Sequence, residues 1–77
     1  MVNAERLRKL AKQPLMSSIL LKGAKARLAF VQGKTSDEIN NEKLIAYFSH
    51  IITLHQIFVG TDSEVSDLKQ LITLLEA

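Results

Sequence analysis

The chain has 77 residues, of which 47% are hydrophobic and 23% charged, with a formal net charge of +2 and no cysteine. That length allows one domain, which buries only about 60% of the surface its unfolded form exposes, and a lone core of this size seldom supplies more than about 3–5 kcal/mol. Disulfides and thiolate metal sites are excluded outright, which leaves self-association or a bound partner to add stability; the lack of cysteine fits a reducing cytoplasm and equally suits a secreted bacterial protein.

The opening "MVNAERLRKLAKQ" is charged but leads into no uninterrupted apolar core of the kind a secretory signal needs. Read as a helix over 3–12, it sets Leu7, Leu10 and Ala11 against Arg6, Arg8, Lys9 and Lys12, with Asn3 as its cap. Pro14 pushes the residue before it out of the α region, so a break is expected at Gln13. A second helix over about 15–32 then turns Met16, Ile19, Leu20, Ala24, Phe30 and Val31 inward and lays Lys22, Lys25 and Gln32 along its wet side. Gly23, Ala26 and Ala29 are small enough to let a neighbouring helix come close.

Two junctions follow, "GKTSDE" and "GTDSE", each placing Gly before Thr and Glu three residues beyond it. The glycines suit a left-handed helix terminator, and Thr35 with Glu38 and Thr61 with Glu64 have the spacing of capping boxes. Between them a helix over about 36–59 is predicted. Its apolar residues, from Ile39 through Phe48 to Val59, cover roughly 240° of the wheel, so it is expected to be the core of the molecule, buried on most sides. The window "LIAYFSHIITLHQIFVG" holds two His, Ser, Thr and Gln, and falls short of the roughly 20 mostly apolar residues of a membrane span. The last helix, about 63–76, buries Val65, Leu68, Leu71, Ile72 and Leu75 in one stripe; Leu74 falls outside it and points to a second contact.

The letters Gly33-Lys34-Thr35 close a phosphate-binding loop, but the first glycine of that motif would stand at position 28, which is Leu28, and a helix precedes it where a strand is required. "LAFVQGKTSDEINNEKL" resembles the first helix and turn of the LuxR-type DNA-binding domain, which implies a polar recognition helix after Leu44. Here the apolar "IAYFSHIITLHQIF" follows without a break, so the likeness stops there. "LLKGAKARL" and "NEKLIAYFSHIITL" look like helices of the flagellin-export chaperones, small antiparallel bundles. The spacing between the blocks is shorter in this chain and the N-terminal signature of that family is missing, so membership is not implied. His50 and His55, five apart, do not chelate one metal as an i, i+4 pair would, and are expected as core or boundary residues. Asp37, Glu38, Asp62 and Glu64 stand at helix starts, where acids favour the dipole. No catalytic residue, metal ligand or cofactor site is marked, and the chain is not expected to be an enzyme.

Charge is split along the chain: residues 1–34 carry eight Lys/Arg and one acid, residues 35–77 two Lys/Arg and seven acids. Either the two halves neutralise each other in the fold, or the basic half is a face for an acidic partner. The expectation is an all-α, small three- to four-helix bundle with a buried central helix. Its expected role is non-enzymatic protein binding, as adaptor, small chaperone or inhibitor, through an apolar groove or homodimer seam contacted by Met16, Leu21, Tyr47, Phe58 and Leu74. The alternative is a small nucleic-acid-binding regulator using Arg6, Arg8, Lys9, Lys12, Lys22 and Lys25 on phosphates.

Overall fold

A computed structural model describes residues 1–34, 41–60 and 62–77. Among these residues the fold is an all-α bundle of four helices, α1 (Ala4–Ala11), α2 (Pro14–Val31), α3 (Asn41–Leu54) and α4 (Glu64–Glu76). Local sequence explains most of their ends. The Asn3 side chain accepts the Arg6 amide and caps α1; Gln13 is extended, at φ −87° and ψ 119°, and Pro14 opens α2 at a position that needs no amide donor. Gly33, at φ 68°, ends α2. Its amide donates to the Phe30 carbonyl and that of Lys34 to the Ala29 carbonyl, the paired bonds of a Schellman turn. The Thr35–Glu38 capping box and Ile39 lie outside the described residues, as does Thr61.

The central position belongs to α2, which packs against α3, α4 and α1, and not to the middle segment as the apolar count suggested. Leu20, Gly23 and Ala24 of α2 are buried, and the core they join draws Leu7 from α1, Phe48, Ile51 and Ile52 from α3, and Leu68 and Leu71 from α4. The small residue at Gly23 is what admits α3. A Cβ built there would stand 2.5 Å from Phe48 Cβ, an atom fixed to the opposing backbone.

The helix expected over 36–59 stops at Leu54. Gln56 takes a left-handed φ of 52°, its amide donates to the Thr53 carbonyl and that of Ile57 to the Ile52 carbonyl, so a second Schellman turn forms around a residue that is not glycine. Ile57 beyond the turn and Ile52 before it are both buried, the apolar contact that accompanies this motif. The chain then runs extended. Phe58 forms an isolated antiparallel bridge with Val2, in which the Asn3 amide donates to the Ile57 carbonyl at 2.7 Å and the Val59 amide to the Met1 carbonyl at 2.8 Å. Gly60, at φ 89°, therefore turns an extended segment toward α4 and does not terminate a helix. Glu64 is the first residue of α4, and its carboxylate is taken by Arg27.

Two further expectations change with packing. Among its described side chains α3 buries Ile45, Phe48, Ile51 and Ile52, while Tyr47 and Leu54, seven apart on one face, stay 50% and 65% exposed. The short N-terminal helix packs on α2 and leaves that face open. Phe30, expected inward, is 53% exposed: Val31, one position along, packs against the core instead, and the Arg27 guanidinium sits 5.3 Å from the Phe30 ring centroid.

Two substitutions test these contacts. Gly23→Ala sets an overpacking cost of about 1–3 kcal/mol against the roughly 1 kcal/mol that Ala gains over Gly in a helix. Because the obstacle is a Cβ that cannot swing aside, the upper part of the range applies and a net loss of about 1–2 kcal/mol is expected; a urea midpoint equal to that of the parent contradicts the close approach. Gln56→Gly relieves about 1–2 kcal/mol of left-handed backbone cost and returns about 0.5–1 kcal/mol through the more flexible unfolded chain. The variant also loses the bond from Arg6 to Gln56, so it is measured on an Arg6→Ala background, where a net gain of roughly 0.5–1 kcal/mol should appear as a higher denaturant midpoint at unchanged slope; a drop in that midpoint would show that position 56 is not in the left-handed region.

Candidate functional site

The surface that combines apolar relief with charge is built around α1. Its eight residues begin at the Asn3 cap, with Glu5 in the first turn and Arg8 and Lys9 in the last, the arrangement the helix dipole favours. Extended residues 1–3 fix where this helix starts. They are bonded to 57–59 on one side, and the Val2 amide donates to Gln70 Oε1 of α4 at 3.1 Å. The Met1 ammonium donates to Asp67 at 2.5 Å and lies 2.8 Å from Asp62. Hydrogen bonds to Asp62 and then to Asp67 raise its pKa above the ordinary value, against a smaller opposing effect of burial. Asp67 is thereby partnered although only 6% exposed.

Held in this way, α1 has a groove on each flank. One, of about 400 Å³, lies between α1 and the C-terminal end of α4. It is lined by Leu7 and Ala11 of α1, Leu74 and Leu75 of α4, the exposed cations Arg8 and Lys12, Ser17 of α2 and Ala77; Leu7 is itself buried beneath it, at 2% exposure. The other, about 360 Å³, is bordered by Arg6, Lys9, Leu10, Gln13 and His55.

Electrostatics across the molecule are only partly neutralised. Lys25 pairs with Glu76 at 3.4 Å and Arg27 with Glu64 at 2.6 Å, each joining the basic half to the acidic half. The hydrogen bond to Glu64 holds the Arg27 guanidinium above its usual range. Arg6 donates to Gln56 Oε1 at 2.7 Å. Among the described residues, Arg8, Lys9, Lys12 and Lys22 make no ion pair.

The predicted contact residues are scattered. Leu74 reaches the α1–α4 groove, which accounts for its place outside the apolar stripe of its own helix. Met16 and Phe58 pack half-buried against the core, Leu21 is half-buried on α2, and Tyr47 lies on the open face of α3. Of the six basic candidates, Arg8 and Lys12 edge the first groove and Arg6 and Lys9 the second, while Lys22 and Lys25 are exposed on α2. The lining residues Leu7 and Ala11 were read only as the inward side of a short helix; that they continue into α4 depends on a contact between chain ends. His50 and His55, expected in the core or at its boundary, are exposed. His55 stands beyond the end of α3, so the wheel that placed it inward does not apply. Among the described residues no three His, Asp or Glu side chains gather as a metal site, and no helix is long and apolar enough to cross a membrane.

Comparison with protein-family models, with curated proteins and with solved structures finds no match for this chain.

Proposed function

We propose that this chain is a non-enzymatic protein-binding module, an adaptor, small chaperone or inhibitor working in the cytoplasm, that receives a helix of a partner protein between α1 and α4. The observation that carries this reading is the groove lined by Leu7, Ala11, Leu74 and Leu75. An open trough with an apolar lining and a polar edge suits the apolar face of an amphipathic helix, anchored at i, i+3 and i+4 positions. Small size adds a thermodynamic reason, since binding to the folded state stabilises a domain whose own core is limited. The half-exposed Tyr47 and Leu54 on α3 supply a second apolar face, where a homodimer seam would form.

Leu74→Arg tests the groove, because it puts a charge among the residues that line it; Leu74 also packs half-buried against the core, so circular dichroism must show that the variant keeps the parent fold. With the 77-residue chain as bait, a partner held by the parent and released at least about tenfold more readily by the variant supports the reading. Retention unaffected by Leu74→Arg places the docking surface elsewhere. Light scattering on the parent distinguishes a second copy from a different protein as occupant.

A second reading, a nucleic-acid-binding regulator, is favoured by the cations of α1 that have no ion pair among the described residues. Phosphate binding loses affinity steeply with salt, with a logarithmic slope of about −0.9 per contact on duplex DNA, whereas apolar docking does not. Titration of duplex DNA at two salt concentrations separates the readings.

A further inference from the structure

We infer that the occupant of the α1–α4 groove is an acidic amphipathic helix of a different protein, with carboxylates one turn apart that face Arg8 and Lys12. This inference rests on the docking reading above and specifies the partner's chemistry. Its ground is charge complementarity around an apolar lining.

Arg8 and Lys12 are four residues apart on α1, so they stand one above the other on the same side of the helix, about 6 Å apart along its axis. Both are exposed, both border the groove, and neither has an ion-pair partner among the described residues. Among the described residues no Asp or Glu side chain borders the groove with them. A helix that lowers apolar side chains onto Ala11, Leu74 and Leu75 must run its flank past these two cations. Basic groups there are repelled and neutral groups leave the cations partly desolvated without a partner, whereas carboxylates at i and i+4 match the repeat of Arg8 and Lys12 and gain two charge-assisted contacts.

Among the described residues a second copy of this chain offers no such pair. Its described acids are largely engaged at home: Glu64 with Arg27, Glu76 with Lys25, and Asp62 and Asp67 with the Met1 ammonium. Glu5 and Glu42 remain, one on α1 itself and one at the start of α3, so among the described residues no helix offers a spare pair at the required spacing. A dimer by light scattering that Glu38→Gln with Glu42→Gln dissolves would make the occupant a second copy and overturn the inference. A polynucleotide would use the cations and leave the apolar lining unmatched.

The test uses the whole chain, isotopically labelled for NMR, and two synthetic amphipathic helical peptides that share their leucines and differ only in carrying Glu or Gln at the two flanking positions. The Glu peptide is expected to shift the resonances of Leu7, Ala11 and Leu74 and to bind about 2- to 30-fold more tightly than the Gln peptide, the range set by two exposed ion pairs, with the gap closing as salt rises. Arg8→Gln with Lys12→Gln should abolish the difference, and Arg8→Glu with Lys12→Glu should invert it; both pairs sit on exposed positions, and circular dichroism confirms that the fold is retained. Equal binding of the two peptides at those resonances overturns the acidic preference and leaves the docking reading standing. Failure of both peptides to shift the groove overturns both ideas, as does duplex DNA moving Arg8 and Lys12 where the Glu peptide does not.

Discussion

The arrangement depends on the absence of a side chain at Gly23. Where a Cβ would meet Phe48 at 2.5 Å, the two helices come close enough for Phe48 to be almost fully buried against α2. Closest approach at one point sets the rest of the interface: Leu20 and Ala24, on either side of the glycine's row, complete the buried surface of α2. Among the described helices α3 packs chiefly on α2, and its other side keeps an open face with Tyr47 and Leu54 on it.

The N-terminal residues act as a second organiser. Residues 1–3 pair with 57–59 and reach Gln70 of α4, so the beginning of the chain is fastened to both the segment leaving α3 and the last helix. From that anchor α1 can only start beside α4 and run along α2. The groove and its cationic edge are products of this placement, because Leu7 and Leu74 belong to helices at opposite ends of the sequence. Two of the eight bases of residues 1–34 are then paired with the acidic half, by Lys25–Glu76 and Arg27–Glu64. Arg8 and Lys12 are left outside those pairs, at the edge where apolar surface is also incompletely covered. Affinity from the apolar lining and selectivity from the edge would thus come from different residues, a common division in recognition surfaces.

Ordering of elements, the helix starts at Asn3 and Pro14 and the stop at Gly33 were legible in the sequence, because each depends on a backbone preference or a side-chain bond within four residues. The inward faces of α1 and α4 were legible too: both helices are amphipathic, and one stripe of each is wide enough to identify on a wheel. At the candidate site, the same patterns marked Leu74 as out of register and Arg8 and Lys12 as outward. They did not join the three, since nothing local tells which helices become neighbours.

What the residues decided alone is therefore whatever local stereochemistry can dictate: an all-helical chain, its punctuation at capping and terminating residues, and the side of each amphipathic helix that seeks cover. The end of α3 needed the tertiary structure. "LHQIFV" continues a helical pattern without Gly or Pro, and Gln56 enters the left-handed region only because Ile57 gains full burial and the following backbone finds Val2 and its neighbours to bond with. Long-range pairing of that kind outweighs a local cost of order 1 kcal/mol. For the same reason the choice of α2 as the hub, the exposure of Phe30 and His55, and the groove beside α1 were settled by which surfaces met, and not by any segment's own preference.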